Sequence, residues 1–107
     1  MAYETLQLAV NGRVATVTLN RPKVMNALNA AMLRELDELF AELALDDGVR
    51  IVLLAGAGGK AFAAGADIAE LAEADPTSGE QLAGRAQRVF RRIETMGKPV
   101  KIGRAHV

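Results

Sequence analysis

The chain has 107 residues, of which half are hydrophobic, and its 13 basic and 13 acidic side chains cancel to zero net charge. This length suits one small domain or part of a larger one, and the charge balance gives no electrostatic basis for binding nucleic acid or an anionic membrane. Cysteine is absent and His106 is the single histidine, which leaves no disulfide, thiolate chemistry or histidine-based metal cluster within the chain. We therefore expect a cytoplasmic protein with no metal, cofactor, nucleic-acid or membrane partner.

An antiparallel hairpin is predicted over residues 4–19. Two runs of alternating apolar and polar residues flank the pair Asn11-Gly12. Such a pair between alternating runs favours a type I′ turn, because both central residues of that turn need positive φ.

A helix is predicted to begin after Asn29, a residue suited to the N-cap, and to end at the run Asp46-Asp47-Gly48. Its apolar residues recur with helical period, and its charged residues fall off that face. The apolar face comprises Met32, Leu33, Leu36, Leu39, Phe40 and Leu43, and the charged residues are Arg34, Glu35, Asp37, Glu38 and Glu42. The almost continuously apolar residues 49–55 then predict a strand buried on both sheet faces.

The remaining chain predicts a short helix over residues 67–74, a loop over 75–79, and a second long helix. Ser78 and Gln81 have the spacing of a capping box at its start, and Gly97 with Pro99 indicates its end. Its apolar face comprises Leu82, Ala86, Val89, Phe90, Ile93 and Met96. Val100 opens another strand. Strands alternating with helices predict an α/β fold with a buried sheet.

The glycine-rich turn after the apolar strand has three interpretations. Residues 56–61 match the dinucleotide pattern G-x-G-x-x-A, with Asp75 near the distance of a ribose ligand. The context disfavours this, because Asp75 precedes a proline in a loop instead of ending a second parallel strand. A phosphate-binding P-loop is excluded, because Ala61 follows Gly59-Lys60 where serine or threonine is required. A purely structural turn is the third interpretation.

The run that follows this turn favours a role in binding. Small side chains in Phe62-Ala63-Ala64-Gly65-Ala66-Asp67 would let a ligand approach the backbone. Free N–H groups at a helix start stabilise a developing anion, such as a thioester carbonyl becoming an enolate.

Six segments, in this order, resemble the enoyl-CoA hydratase/isomerase (crotonase) family. They are the Asn11-Gly12 hairpin, Leu19-Asn20-Arg21-Pro22, Asn26-Ala27-Leu28-Asn29, Ile51-Val52-Leu53-Leu54, Lys60-Ala61-Phe62-Ala63-Ala64-Gly65-Ala66-Asp67-Ile68 and Ile93-Glu94-Thr95-Met96-Gly97-Lys98-Pro99-Val100. The resemblance covers residues 1–100 and implies the N-terminal part of a crotonase-like ββα spiral domain. It is greatest to enoyl-CoA hydratases.

The resemblance also implies roles for individual positions. The backbone N–H of Ala64 would donate to the thioester oxygen, and Gly65, Ala66, Asp67 and Ile68 would shape the acyl-CoA site. Lys23, Ala27 and Leu28 would lie along the CoA moiety. Two simpler roles remain open, because Lys23 is equally suited to be a solvated lysine and Asp67 is better suited to capping a helix than to catalysis. Glu70, Glu73 and Glu94 are expected to be solvated.

The family's two acid/base glutamates and its second oxyanion donor are expected beyond the Lys98-Pro99-Val100 strand. Instead, residues 101–107 form an atypical tail with Lys101, Arg104 and His106, a composition unsuited to a buried parallel strand. One hypothesis is that the tail is not native, because it matches a translation of a common sequencing adapter; the alternative is a genuine short protein with an unusual tail. His106 is not assigned to catalysis in either case.

The resemblance implies an enzyme that hydrates 2-enoyl-CoA thioesters to 3-hydroxyacyl-CoA through an enolate, as in fatty-acid β-oxidation. It also implies a homotrimer or a hexamer of two trimers. The alternatives are an enoyl-CoA isomerase or another acyl-CoA enzyme of the family, and a non-catalytic CoA-binding fragment. Because the proton-transferring groups are not in the chain, we expect the 107-residue polypeptide alone to be inactive.

Overall fold

The computed structural model describes residues 3–21, 23, 28–57 and 76–104, and these residues form a four-stranded sheet and two long helices. The elements in chain order are β1 (Leu6–Asn11), β2 (Val14–Leu19), α1 (Ala30–Leu45), β3 (Ile51–Gly56), α2 (Pro76–Thr95) and β4 (Val100–Arg104). The predicted α/β fold is confirmed. The short helix expected over residues 67–74 lies outside the described residues.

The sheet follows the order of the chain, β1-β2-β3-β4, with β1 antiparallel to β2 and the other neighbours parallel. The predicted hairpin is therefore confirmed, but its turn is displaced by one residue. Asn11 pairs with Val14, so the two central residues are Gly12 and Arg13. Gly12 has a φ of 62°, a conformation that glycine adopts without the steric cost of a Cβ atom.

Helix α1 covers one face of the sheet and provides much of the core. Its N-cap is Asn29, whose side chain accepts a hydrogen bond of 2.9 Å from the backbone N–H of Met32. All six residues of the predicted apolar face are buried, and Phe40 is fully enclosed. The predicted start, end and inner face of this helix are confirmed. The buried residues that share its core include Ala15, Val17, Leu19, Val52, Leu54, Val89 and Ile93.

Strand β3 is fully buried on one face and only partly buried on the other, which corrects the prediction of burial on both. Val52 and Leu54 lie in the core, whereas Ile51 is 42% exposed and Leu53 is half-buried. Only Ala55 is buried on that second face. A continuous apolar run therefore overestimated the burial of this strand within the described residues.

Helix α2 begins at Pro76, so Ser78 lies inside its first turn and not at the predicted N-cap. A proline suits this position, because the first N–H groups of a helix have no intrahelical acceptor. Gly97, with a φ of 85°, follows the helix as predicted. Leu82, Val89 and Ile93 are buried as expected, but Phe90 is 39% exposed. No helix in the described part of the chain is long and apolar enough to cross a membrane.

The predicted strand at Val100 is confirmed and extends to Arg104. It pairs in parallel with β3, from Val52 opposite Val100 to Gly56 opposite Arg104. The charged composition therefore does not prevent a strand here, because Lys101 and Ile102 are exposed at the outer edge of the sheet. Residues 105–107 lie outside the described residues, and the foreign origin of the tail stays a hypothesis.

Candidate functional site at the carboxyl edge of the sheet

Most of the predicted acyl-CoA site falls on segments that the structure does not describe. Ala27 and the run from Ala64 to Ile68 lie outside the described residues, as do Glu70 and Glu73. Their roles stay predictions. The described residues nevertheless define where the two predicted site segments leave the sheet.

Both predicted site segments begin at the same edge of the parallel sheet. Leu19 at the end of β2 is the register partner of Gly56 at the end of β3. The backbone N–H of Ala57 then donates a hydrogen bond of 2.8 Å to the carbonyl of Leu19, which carries the pairing one residue further. The predicted CoA-binding segment and the predicted oxyanion loop therefore follow strand ends that lie side by side. Ligands of open α/β sheets bind at this edge, outside the carboxyl ends of the strands.

Contacts with the start of β1 hold the chain where it leaves β2. The backbone N–H of Asn20 donates a hydrogen bond of 2.7 Å to the carbonyl of Thr5. Leu19 itself is fully buried in the core. These contacts give the predicted CoA-binding segment a fixed origin.

The two described residues of that segment have different environments. Lys23 is exposed. Exposure is expected both for a lysine that contacts a phosphate and for a lysine that contacts only water. Leu28 is 5% exposed and belongs to the core beside α1. The structure thus gives Leu28 a packing role, and its predicted contact with CoA stays a prediction.

Glu35 is a residue whose importance the sequence pattern did not reveal. Helical periodicity placed it among the charged residues off the apolar face, yet it is 7% exposed. Its two carboxylate oxygens accept hydrogen bonds of 2.8 Å from the backbone N–H groups of Glu4 and Thr5, and one also accepts from the Thr5 hydroxyl. Burial acts to raise the pKa of Glu35, but these hydrogen bonds, with the charge of Arg34, outweigh it and lower the pKa.

Lys98 also has a role that was not predicted. Its ammonium group donates hydrogen bonds of 2.6 Å to the carbonyls of Leu43 and Asp46 at the C-terminal end of α1. A positive charge at a helix C-terminus satisfies free carbonyls and interacts favourably with the helix dipole. The segment between α2 and β4 is thereby tied to the segment between α1 and β3.

The described residues contain no group of three histidine, cysteine, aspartate or glutamate side chains that could hold a metal ion. Glu94 is exposed, as expected for a solvated side chain.

The family model described as enoyl-CoA hydratase/isomerase matches residues 14–101. The short-chain-enoyl-CoA hydratase of Clostridium acetobutylicum is 44% identical over 100 residues, which cover 94% of this chain and 38% of that protein. The crotonyl-CoA hydratase of Syntrophomonas wolfei is 39% identical over 100 residues, with the same two shares covered. The crystal structure of an enoyl-CoA hydratase from Bacillus anthracis superposes with a TM-score of 0.90 at 28% identity, covering 92% of this chain and 39% of that one. The chain thus spans about two fifths of the length of the relatives it matches.

Proposed function

Because the chain belongs to the enoyl-CoA hydratase/isomerase family, we propose that it forms part of an enzyme that hydrates 2-enoyl-CoA thioesters. The observation that carries this proposal is that β2 and β3 end side by side, with Leu19 paired with Gly56 and bonded to Ala57. The predicted CoA-binding segment follows β2 in the chain, and the predicted oxyanion loop follows β3. The similarity to proteins named short-chain-enoyl-CoA hydratase and crotonyl-CoA hydratase supports hydration over the other reactions of the family.

The proposed reaction adds water across the double bond next to the thioester. The water oxygen bonds to C3 while a proton leaves that water, the electron pair of the double bond moves toward the thioester carbonyl, and an enolate forms. Protonation at C2 then restores the thioester as 3-hydroxyacyl-CoA. A preorganised backbone donor at the enolate oxygen typically contributes about 3 kcal/mol of transition-state stabilisation.

In this proposal the backbone N–H of Ala64 is one donor to the enolate oxygen. Gly65, Ala66, Asp67 and Ile68 shape the surrounding acyl-CoA pocket, and Lys23, Ala27 and Leu28 lie along the CoA. The groups that move protons, and the second oxyanion donor, would come from outside these 107 residues. The substrate carries the CoA, and no separate cofactor is proposed.

The first experiment measures binding by the 107-residue polypeptide itself. We expect calorimetry to detect CoA binding with no hydration of crotonyl-CoA, and we expect Lys23→Gln to weaken CoA binding by about two- to fivefold through the loss of one exposed charge contact. Lys101→Gln, an exposed lysine on β4, is the matched control. Hydration at the rate of an intact enzyme would contradict the assignment of the proton-moving groups, and an undetectable affinity for CoA would contradict the binding site.

The second experiment tests the catalytic role directly. Genomic DNA across the Val100 codon shows whether the reading frame continues as in the relatives, and expression of a continuous frame provides the enzyme for assay. Ala64→Pro deletes the backbone donor and is expected to lower kcat for hydration of crotonyl-CoA by about a hundredfold or more. Ala64→Gly keeps the N–H and controls for the change of side chain. Equal rates for the proline variant and the parent would exclude Ala64 as the donor.

Assembly and location are proposed on the same family basis. We expect the enzyme to be a homotrimer or a hexamer of two trimers, which sedimentation of the product of a continuous frame tests. A monomer at assay concentration would contradict it. The cytoplasmic location stays a prediction, and fractionation of the source cells tests it.

A further inference from the structure

A groove between α1 and α2 has a concentration of arginine that the proposed reaction does not use. Its volume is about 850 Å³, within the range of small-molecule sites. The residues that line it belong to the two helices and to the turn after α2. Its charged lining residues are Arg34, Asp37, Arg85, Arg88, Arg91 and Arg92, and we call this surface the arginine groove.

Only one of the five guanidinium groups has an ion-pair partner among the described residues. Arg92 pairs with Asp37 across the groove at 2.5 Å, which links α2 to α1. The other four, Arg34, Arg85, Arg88 and Arg91, are exposed and have no such partner in the described ranges. Like charges gathered around one concavity repel each other, and they raise the local concentration of anions.

The spacing of these arginines along α2 favours an extended anion. Arg85 and Arg92 are seven residues apart, which corresponds to about 10 Å along the helix axis. Arg88 lies between them, and its guanidinium reaches back to within 3.5 Å of the Cβ position that Gly84 lacks. A single phosphate spans a fraction of this length. Arginine binds phosphate oxygens with two parallel hydrogen bonds, which makes phosphate the anion that this side chain fits best.

The floor of the arginine groove is apolar. Leu33 and Val89 are almost fully buried beneath it, and Ala44 and Met96 are half-buried at one end. The apolar surface that a ligand could contact is therefore limited to the end of the groove at Ala44 and Met96.

None of the described residues that line the arginine groove belongs to the proposed acyl-CoA site. The groove extends to Ala44 and Met96, at the C-terminal ends of α1 and α2. These ends lead into the starts of β3 and β4, whereas Leu19 and Gly56, after which the predicted site segments follow, are at the opposite ends of their strands.

We propose that the arginine groove binds a small molecule that carries at least two phosphate groups, held by Arg85, Arg88 and Arg91 of α2 together with Arg34 of α1. The inference stands on the described residues alone and does not depend on hydratase activity.

Calorimetry with the 107-residue polypeptide at low salt tests this inference, using inorganic tripolyphosphate, ATP and inorganic phosphate as probes. We expect tripolyphosphate and ATP to bind at one site, and inorganic phosphate to bind at least about tenfold more weakly, since it meets fewer guanidinium groups. ATP binding tighter than tripolyphosphate would identify an organic ligand that uses the apolar floor, and the reverse order would identify an inorganic polyphosphate.

Matched double variants separate this site from general charge attraction. Arg85→Gln with Arg88→Gln is expected to weaken tripolyphosphate binding at least about tenfold. Arg13→Gln with Arg50→Gln removes the same charge from exposed positions outside the groove. Lys23→Gln removes one charge from the proposed acyl-CoA site. The double variant and the Lys23 variant are each expected to retain tripolyphosphate affinity within about twofold. Circular dichroism checks that every variant is folded. No binding by the parent chain, equal weakening in both double variants, or tighter binding of a short oligonucleotide than of tripolyphosphate and ATP would overturn the proposal.

Discussion

The buried carboxylate of Glu35 holds the start of the chain against α1. It accepts from two backbone N–H groups and one hydroxyl, so the donors of Glu4 and Thr5 are satisfied without a neighbouring strand. Because these bonds lower the pKa of Glu35, they favour its charged form in the folded protein. This contribution to stability is complete above the pKa of the unfolded chain and is lost as the pH falls through the lower, folded pKa.

Glu35→Gln is therefore expected to destabilise the protein in a manner that depends on pH. The loss at neutral pH is expected to be about 2 kcal/mol, because a buried charge-assisted network is replaced by a neutral amide whose NH₂ group opposes one of the two backbone N–H donors. The difference from the parent should shrink in acid, as the pH falls through the lowered pKa of Glu35 and the parent carboxylate becomes protonated. Urea unfolding at several pH values measures it. Glu38→Gln, at an exposed position of the same helix, is the control and should change the free energy of unfolding little. A loss of stability in the Glu35 variant that does not vary with pH would show that the charge of Glu35 does not stabilise the fold.

Lys98 also joins segments that are far apart in the sequence. Its substitution tests a second contact made by a single side chain. Lys98→Met keeps most of the side-chain length but leaves the carbonyls of Leu43 and Asp46 without their charged donor. We expect a loss of about 1–2 kcal/mol in the free energy of unfolding. Lys101→Met is the control, because Lys101 is exposed on β4. Equal effects of the two substitutions would show that the capping contact contributes nothing.

At the scale of an element, the ends and inner faces of the helices follow from local sequence. Asn29 caps α1, and the apolar residues of that helix recur with the period that buries them together. Helix α2 begins three residues earlier than an N-cap at Ser78 predicts, because Pro76 begins the helix ahead of the capping-box pair. The periodic pattern predicts Phe90 on the inner face of α2, but this side chain lies at the margin of that face and is exposed. A periodic pattern defines the centre of the buried face of a helix better than its border.

Two glycines of the α2 region should respond to alanine with opposite sign. Gly97 follows the helix with a φ of 85°, so Gly97→Ala is expected to cost about 1 kcal/mol. Gly84 is inside the helix, where an added Cβ would make an ordinary contact with Arg88, so Gly84→Ala is expected to stabilise by up to about 1 kcal/mol. Thermal unfolding of both variants measures the pair. A destabilised Gly84 variant, or an unchanged Gly97 variant, would contradict this account of the helix.

At the scale of the whole molecule, the described elements leave apolar side chains at both edges of the sheet. Leu8 and Val10 on β1 are 41% and 54% exposed, and Ile102 on β4 is 58% exposed. Strand edges with unpaired backbone groups and apolar side chains associate readily with other chains. Although apolar and polar residues alternate along β1, only Leu6 is buried, because the core ends before it reaches Leu8 and Val10.

We therefore expect the 107-residue polypeptide to self-associate in a concentration-dependent way. Leu8→Lys with Val10→Lys should shift the equilibrium toward monomer, because charge at an edge strand opposes pairing. Leu45→Lys is the control, since Leu45 is an exposed residue at the end of α1, away from the strand edges. Analytical ultracentrifugation over a range of concentrations measures the shift. Self-association unaffected by the β1 substitutions would assign it to another surface.

Sequence alone predicts the order of the described elements, the hairpin, the capped amphipathic helix α1, the glycine after α2 and the family resemblance. Each of these depends on residues close together in the chain or on motifs in a defined order. Tertiary packing was needed to show that β3 is fully buried on one face only, that Glu35 is buried against Thr5, that Lys98 caps α1, and that arginines of two helices meet in one groove. These contacts join residues separated by 30 to 55 positions. Local periodicity contains no information about which distant segment a helix or strand will contact, because tertiary packing alone determines those contacts.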